Sequence, residues 1–378
     1  MAEVFDLPIE IILETVQKLR VRKRVFAYEM LIEKRIMQAG GTPVIEGNRA
    51  YFFYRNESEE EVSVTGDWNG WRNGIDVMQR IHPASTVYYV KKEFPVDSRL
   101  SYRFLSEDHG SFNDPANPRS LQEVFGNNTY LQMPAYQDPL YLETPGRAIP
   151  RGVIKSFPIN SAIRGDRFSR EVAIYIPNGM RIRGKVSFLY VHDGIEAMTI
   201  GRFINVLDNL YYHEPHTRKM IVVFVPPVDR HVEYMMNPKF AKWTAKVLVP
   251  QVEKFLKVSS QRELRTISGS SLGGLISAYT ALMHPNVFGN VAAQSASFWF
   301  DEKALISAFA SKKKLALRFF IHTGTINDAL DGSRELLEVL QRKGYDIRYR
   351  ETNESHNWAN WSAKYVEIVK WAGAAITK

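Results

Sequence analysis

Residues 265–285 read RTISGSSLGGLISAYTALMHP, and within them Gly269-Ser270-Ser271-Leu272-Gly273 fits the pattern Gly-x-Ser-x-Gly. A strand-like run precedes the pattern, and a helix-like run follows it as far as Pro285. That context sets Ser271 at the apex of a strand–turn–helix, where a hydroxyl is exposed to attack a carbonyl. The flanking glycines let the turn pack where a Cβ would clash, and the helix start behind the serine offers N–H groups to an oxyanion. Ser270 is the neighbouring hydroxyl, expected only to satisfy turn backbone. A serine needs a base. His356, in ETNESHNWANW, follows the last strand-like run, DIRYRE, and precedes the terminal helix. His322 lies inside a strand-like run and His284 at a helix end, positions expected of structural histidines, while His192, at an earlier strand end, precedes the serine. The acid should lie between the strand-like LRFFIHTG and His356. Asp328 is the first choice, with Asp331 and Glu335 as competitors. Two N–H donors complete the set: Leu272, next to the nucleophile, and Ile195, in the YVHDGIEA loop after an early strand.

These groups need a scaffold that converges on them. From about residue 150 onward, short apolar runs such as VSFLYVHDG, MIVVFVPP and LRFFIHTG alternate with helix-like stretches. That alternation predicts an α/β domain with a mostly parallel sheet covered on both faces, whose reactive groups gather beyond the carboxyl ends of its strands. Residues 42–135 have a different texture. AYFFYRN, EVSVTGDW, TVYYVKKEF and LSYRFLS are separated by turn clusters, which reads as an antiparallel sandwich. Residues 4–38 read as one helix, with Ile9, Ile12, Val16 and Leu19 at helical spacing and Gly40-Gly41 ending it. The expected division is therefore 1–40 helical, 41–135 β-sandwich and 136–378 α/β.

Composition narrows the classes. The 378 residues are 45% hydrophobic and 24% charged, values of a globular chain. No apolar run reaches the length of a membrane span, and the N-terminus has acids where an export signal would have basic residues, so a cytoplasmic location is expected. The absence of cysteine excludes disulfides, thiolate metal sites and cysteine nucleophiles. The net charge of +8 is spread along the chain without a nucleic-acid motif, so no nucleic-acid partner is expected, and an anionic small substrate remains compatible.

With these pieces placed, residues 150–378 resemble the Putative esterase family of α/β-hydrolases, especially the enterochelin (ferric enterobactin) esterases. The resemblance is carried by YVHDG, PPVDRHVEY with LVPQVEKFL, GSSLGGLISAYTALMHPNVFGNVAAQSASFWF and SHNWANW. It implies Ser271 as nucleophile, His356 as base and an acid after the sixth or seventh strand, with no cofactor and no metal in the chemistry. Any iron would arrive with the substrate. Arg230 matches a family arginine suited to an anionic substrate such as a ferric siderophore; its alternative is an ion pair with Glu233. Trp358 and Trp361 either wall an aromatic acyl group or pack in the core. Residues 42–133 resemble the early-set immunoglobulin-like module related to glycogen-binding domains, through VSVTGDWNGW and YRFLSEDHGSFNDPANP. Trp68 or Trp71, with Asn127, would contact a glycan there, although Phe112 stands where a second tryptophan is expected, which favours a structural or substrate-lid role. The resemblance thus implies a siderophore trilactone esterase. The competing expectations are a feruloyl or acetyl carbohydrate esterase, and a non-catalytic glycan-binding or interaction protein. The oligomeric state is left open.

Overall fold

The structure, a computed structural model, describes residues 7–58, 60–72, 74–124, 126–161 and 168–374. The chain divides into two compact units, residues 1–137 with 353–355, and residues 138–352 with 356–378. The helical segment thus belongs to the first unit and is not a body of its own.

In the first unit every strand pairing is antiparallel. One sheet has four strands, led by Arg49–Arg55 and Val87–Glu93; the other is built around Val62–Gly66, Arg99–Ser106 and Gly126–Gln132. Aromatic rings join the two faces. Phe52 meets Tyr102 edge-on at 4.9 Å, and Tyr54 meets Phe104 at 5.5 Å. Where one helix was expected there are two, Ile9–Gln17 and Arg22–Gln38; residues 4–6 lie outside the described residues. Both helices contribute to a single apolar cluster, with Ile12, Val16, Val25 and Ile32 against Tyr51, Phe53 and Tyr89 of the four-stranded sheet. Breaking the helix lets both halves cover that sheet.

The second unit holds an eight-stranded sheet: β1 (Val153–Ile159), β2 (Arg170–Ile176), β3 (Phe188–His192), β4 (Ile221–Val225), β5 (Arg265–Ser270), β6 (Asn290–Gln294), β7 (Arg318–Gly324) and β8 (Asp346–Thr352). Their spatial order is β1-β2-β4-β3-β5-β6-β7-β8. Only the pairings of β2, with β1 and β4, are antiparallel; all the others are parallel. This is the α/β-hydrolase arrangement. The near-continuous apolar runs follow from burial on both faces. In β4, Ile221, Val223 and Val225 enter one apolar cluster while Val222 and Phe224 enter the other. Each fully buried side chain of this size contributes roughly 1.5–3 kcal/mol of transfer free energy. The result is a rigid platform whose parallel strands all deliver their loops to one edge. Among the described residues, no helix is long and apolar enough to cross a membrane.

Candidate active site

Three loops on that edge carry the candidate chemistry. Ser271 stands between β5 and the helix α3 (Leu272–Met283), with φ 57° and ψ −126°. A non-glycine residue in that region costs on the order of 1–3 kcal/mol, and such strain concentrates at functional turns. The surrounding backbone enforces it. A Cβ at Gly269 would stand 2.5 Å from the backbone of Gly273, and one at Gly274 would stand 2.7 Å from Ala296 Cβ. Gly269 and Gly274 are therefore required by close approach. Ser270 closes β5 and is buried, whereas Ser271 is partly exposed. The Leu272 N–H has no acceptor among the described residues, because the first helical bonds run from Gly274 and Leu275 to Ser271 O.

Asp328 lies in the loop after β7, ahead of α4 (Leu330–Arg342). Its side chain has no exposed surface and sits 2.7 Å from His356 Nδ1 through Oδ1. Ala329 N–H also donates to Oδ1 at 2.7 Å, while Ser295 Oγ–H (2.5 Å) and Gly324 N–H donate to Oδ2. Burial pushes this carboxyl upward, but the hydrogen bonds from His356, Ser295 and Gly324 outweigh it and hold the group below its ordinary value. The two competing acids are engaged elsewhere or exposed. Glu335 pairs with Lys303 at 2.6 Å, and Asp331 is a solvent-facing residue in the first turn of α4.

His356 follows β8 and precedes α5 (Trp358–Ser362), whose start is fixed by Asn357 accepting from Asn360 N–H at 2.9 Å. The imidazole retains 37% exposure. In this rotamer the Ser271 hydroxyl faces Ser297 Oγ at 3.5 Å, and no hydrogen bond joins Ser271 to His356 among the described residues. The other histidines near the sheet are sequestered. His192 bonds Ser277 Oγ at 2.9 Å and His322 bonds Thr352 Oγ1 at 3.0 Å; burial pushes each down to about 3.

Trp358 and Trp361 are both buried within the apolar cluster on one face of the sheet. Trp361 meets His356 edge-on at 5.0 Å, and its Nε1–H donates to Ser295 Oγ at 2.9 Å. Trp361, Ser295 and Asp328 thus form a hydrogen-bonded chain behind His356, which spacing alone did not reveal. Arg230 does not meet Glu233. Its Nε and Nη2 bind Asp193 Oδ1 and Oδ2 at 2.8 and 2.9 Å, while Glu233 pairs with the buried Arg170 at 2.7 Å. Ile195 is the second residue of α1 (Gly194–Thr199), directly after Asp193, which has φ 53°. Gly194 allows that loop to lie against β4, where a Cβ would stand 2.5 Å from Phe224 C. Apolar side chains also face solvent along this edge: Ile195, Val228, Val232 and Trp299, the last 61% exposed. In the first unit, Trp68 packs against Phe52 and Phe94 and bonds Asp76 at 2.6 Å, so its ring is structural. Trp71 and Asn127 remain exposed.

Comparison with known proteins agrees with this architecture. The uncharacterized protein YjcH of Bacillus subtilis is 26% identical over 238 residues, covering 56% of this chain and 98% of its own. A ferric enterobactin esterase structure from Salmonella typhimurium aligns with a TM-score of 0.72 at 20% identity, over 87% of this chain and 95% of that one. A ferulic acid esterase from Anaeromyces mucronatus aligns with a TM-score of 0.52 at 18% identity, over 63% of this chain and 97% of that one. At these identities the structural likeness speaks to the fold. The family model described as Putative esterase matches residues 167–372, more than half of the sequence, and the chain belongs to that family.

Proposed function

We propose that the protein is a serine esterase that cleaves carboxylic esters through an acyl-enzyme. The observation that carries this reading is the 2.7 Å bond between His356 and the buried side chain of Asp328, together with the strained Ser271 elbow. Asp328 fixes the imidazole with its proton on Nδ1, leaving Nε2 free to act as a base. In this mechanism the Ser271 side chain turns away from Ser297 to give its proton to Nε2. Ser271 Oγ then attacks the ester carbonyl as its proton passes to His356, and the N–H groups of Leu272 and Ile195 hold the tetrahedral oxyanion. Collapse expels the alcohol, protonated by His356. Water then hydrolyses the acyl group by the same route.

For substrate, the reading favoured is siderophore trilactone cleavage with release of iron. The enterobactin esterase likeness spans 87% of the chain, more than the second unit alone, whereas the ferulic acid esterase likeness spans 63%. The exposed apolar groups, Trp299 among them, suit an acyl part with an aromatic or apolar face. A feruloyl or acetyl carbohydrate ester is the second reading, favoured by the ferulic acid esterase fold. A fluorophosphonate probe followed by peptide mass spectrometry tests the chemistry. The adduct is expected on Ser271; an unmodified chain would support a non-catalytic binding protein. Turnover of ferric enterobactin against a feruloylated sugar then separates the two substrates.

A further inference from the structure

The short helix α2 (Arg230–Tyr234) sits between two ion pairs of different character. On one side, Glu233 receives both Nη atoms of Arg170 at 2.7 Å, with each side chain 3% exposed. The Arg170 guanidinium also lies over Trp243 at 4.6 Å, so this pair is anchored in the apolar interior at the start of β2. On the other side, Arg230 makes its two-pronged contact with Asp193 and lies over Tyr234 at 5.6 Å. The Asp193 N–H donates to the Tyr234 hydroxyl at 3.1 Å, which gives the same residue a further tie to α2. Asp193 Oδ2 stands 3.0 Å from where a Cβ on Gly273 would be, so the Asp193 loop abuts the first turn behind Ser271.

We infer that Arg230 is a positioning residue: paired with Asp193, it holds the Asp193–Ile195 loop so that the Ile195 N–H serves as the second oxyanion donor. This rests on the serine-esterase reading above. The alternative role, an anchor for an anionic substrate, fits the geometry less well. The Nε/Nη2 edge of the guanidinium is already committed to Asp193, and that carboxylate compensates its charge. The buried Arg170–Glu233 pair keeps α2 from yielding, so the clamp has a fixed base.

The test uses the full chain with Arg230→Gln, Arg230→Lys, and Arg230→Gln combined with Asp193→Asn. The substrates are p-nitrophenyl acetate, which is neutral, and p-nitrophenyl hemisuccinate, which is anionic. Arg230→Gln is expected to lower kcat about 100-fold on both esters with KM unchanged, the scale of a misplaced catalytic group. Phenyl trifluoromethyl ketone, whose hemiketal oxyanion needs the same donors, should weaken by the same factor. Arg230→Lys should recover only part of the loss, since an ammonium lacks the fork. Should the single variant fail to fold, the paired variant carries the same measurements, because it leaves no uncompensated buried charge. Unchanged kcat with KM raised on the hemisuccinate alone would make Arg230 a substrate anchor and overturn the inference. So would a lowered kcat with undiminished ketone affinity. A wild-type protein that turns over neither ester would instead defeat the esterase reading, so the two failures are distinct.

Discussion

Replacing Asp328 with asparagine probes the core of the site, because four donors converge on that carboxylate. Oδ1 takes His356 Nδ1–H and Ala329 N–H, and Oδ2 takes Ser295 Oγ–H and Gly324 N–H. An amide has one oxygen for these four donors. Two of them, the backbone N–H groups, cannot turn away, and Trp361 already donates to the Ser295 hydroxyl. His356 alone can adapt, by moving its proton to Nε2. The amide oxygen should therefore take the Oδ2 side and its NH2 should face Nδ1, which leaves the imidazole in the tautomer that cannot accept the Ser271 proton. An error of that kind costs about 10⁴-fold in kcat, or about 5 kcal/mol of transition-state stabilisation. The amide N–H facing Ala329 N–H adds a folding penalty of about 1–3 kcal/mol. Initial rates on p-nitrophenyl acetate and urea melts measure the two effects. The pH dependence of stability has a fixed sign. Since folding lowers the Asp328 pKa, its contribution is fully present above the unfolded value near about 4 and fades as pH falls through the folded value. The stability gap between wild type and variant should therefore narrow as pH is taken from about 6 to about 3. A loss of kcat below about tenfold, with the melts unchanged, would refute this reasoning.

Other expectations follow from the same geometry. Ser295→Ala and Trp361→Phe should each lower kcat about tenfold at constant KM, as loss of a hydrogen bond in the chain to Asp328 loosens the acid–base pair; an unchanged rate in both would show the chain to be passive. Gly269→Ala sets a Cβ against the Gly273 backbone, where no rotamer change gives relief, and should destabilise by about 1–3 kcal/mol as well as silence the enzyme. Trp299→Ala should raise KM for aromatic esters more than for acetate while kcat on acetate holds; equal effects on both would remove Trp299 from substrate contact.

Much of the scaffold was legible because its signals are local. Apolar runs buried on both faces, alternating with helix-like stretches, give the parallel sheet, and the glycines around Ser271 announce the tight turn from β5 into α3. His356 was legible from its place between the last strand and the terminal helix. Asp328 was the first choice for its partner, but Asp331 and Glu335 stayed open, since the three differ only in where the chain turns. What separates them is burial and the four donors around Asp328, all of them set by folding. The Arg230 pairing shows the same limit. Glu233, three residues away, was the sequence-local candidate, but on so short a helix the two side chains meet different neighbours. Arg230 reaches Asp193 across 37 residues and Glu233 reaches Arg170 across 63. The break near Leu19 escaped periodicity because both helices turn apolar residues to the same sheet.

The account stands on Ser271 becoming acylated under the action of His356. Stopped-flow mixing with p-nitrophenyl acetate, coupled to acid quench and peptide mapping, observes that event directly. The account predicts a burst of p-nitrophenol stoichiometric with protein and an acetyl group on Ser271, retained in Ser270→Ala and absent in Ser271→Ala and His356→Ala. A burst that survives in Ser271→Ala, or an acetyl group found on another side chain, would contradict it.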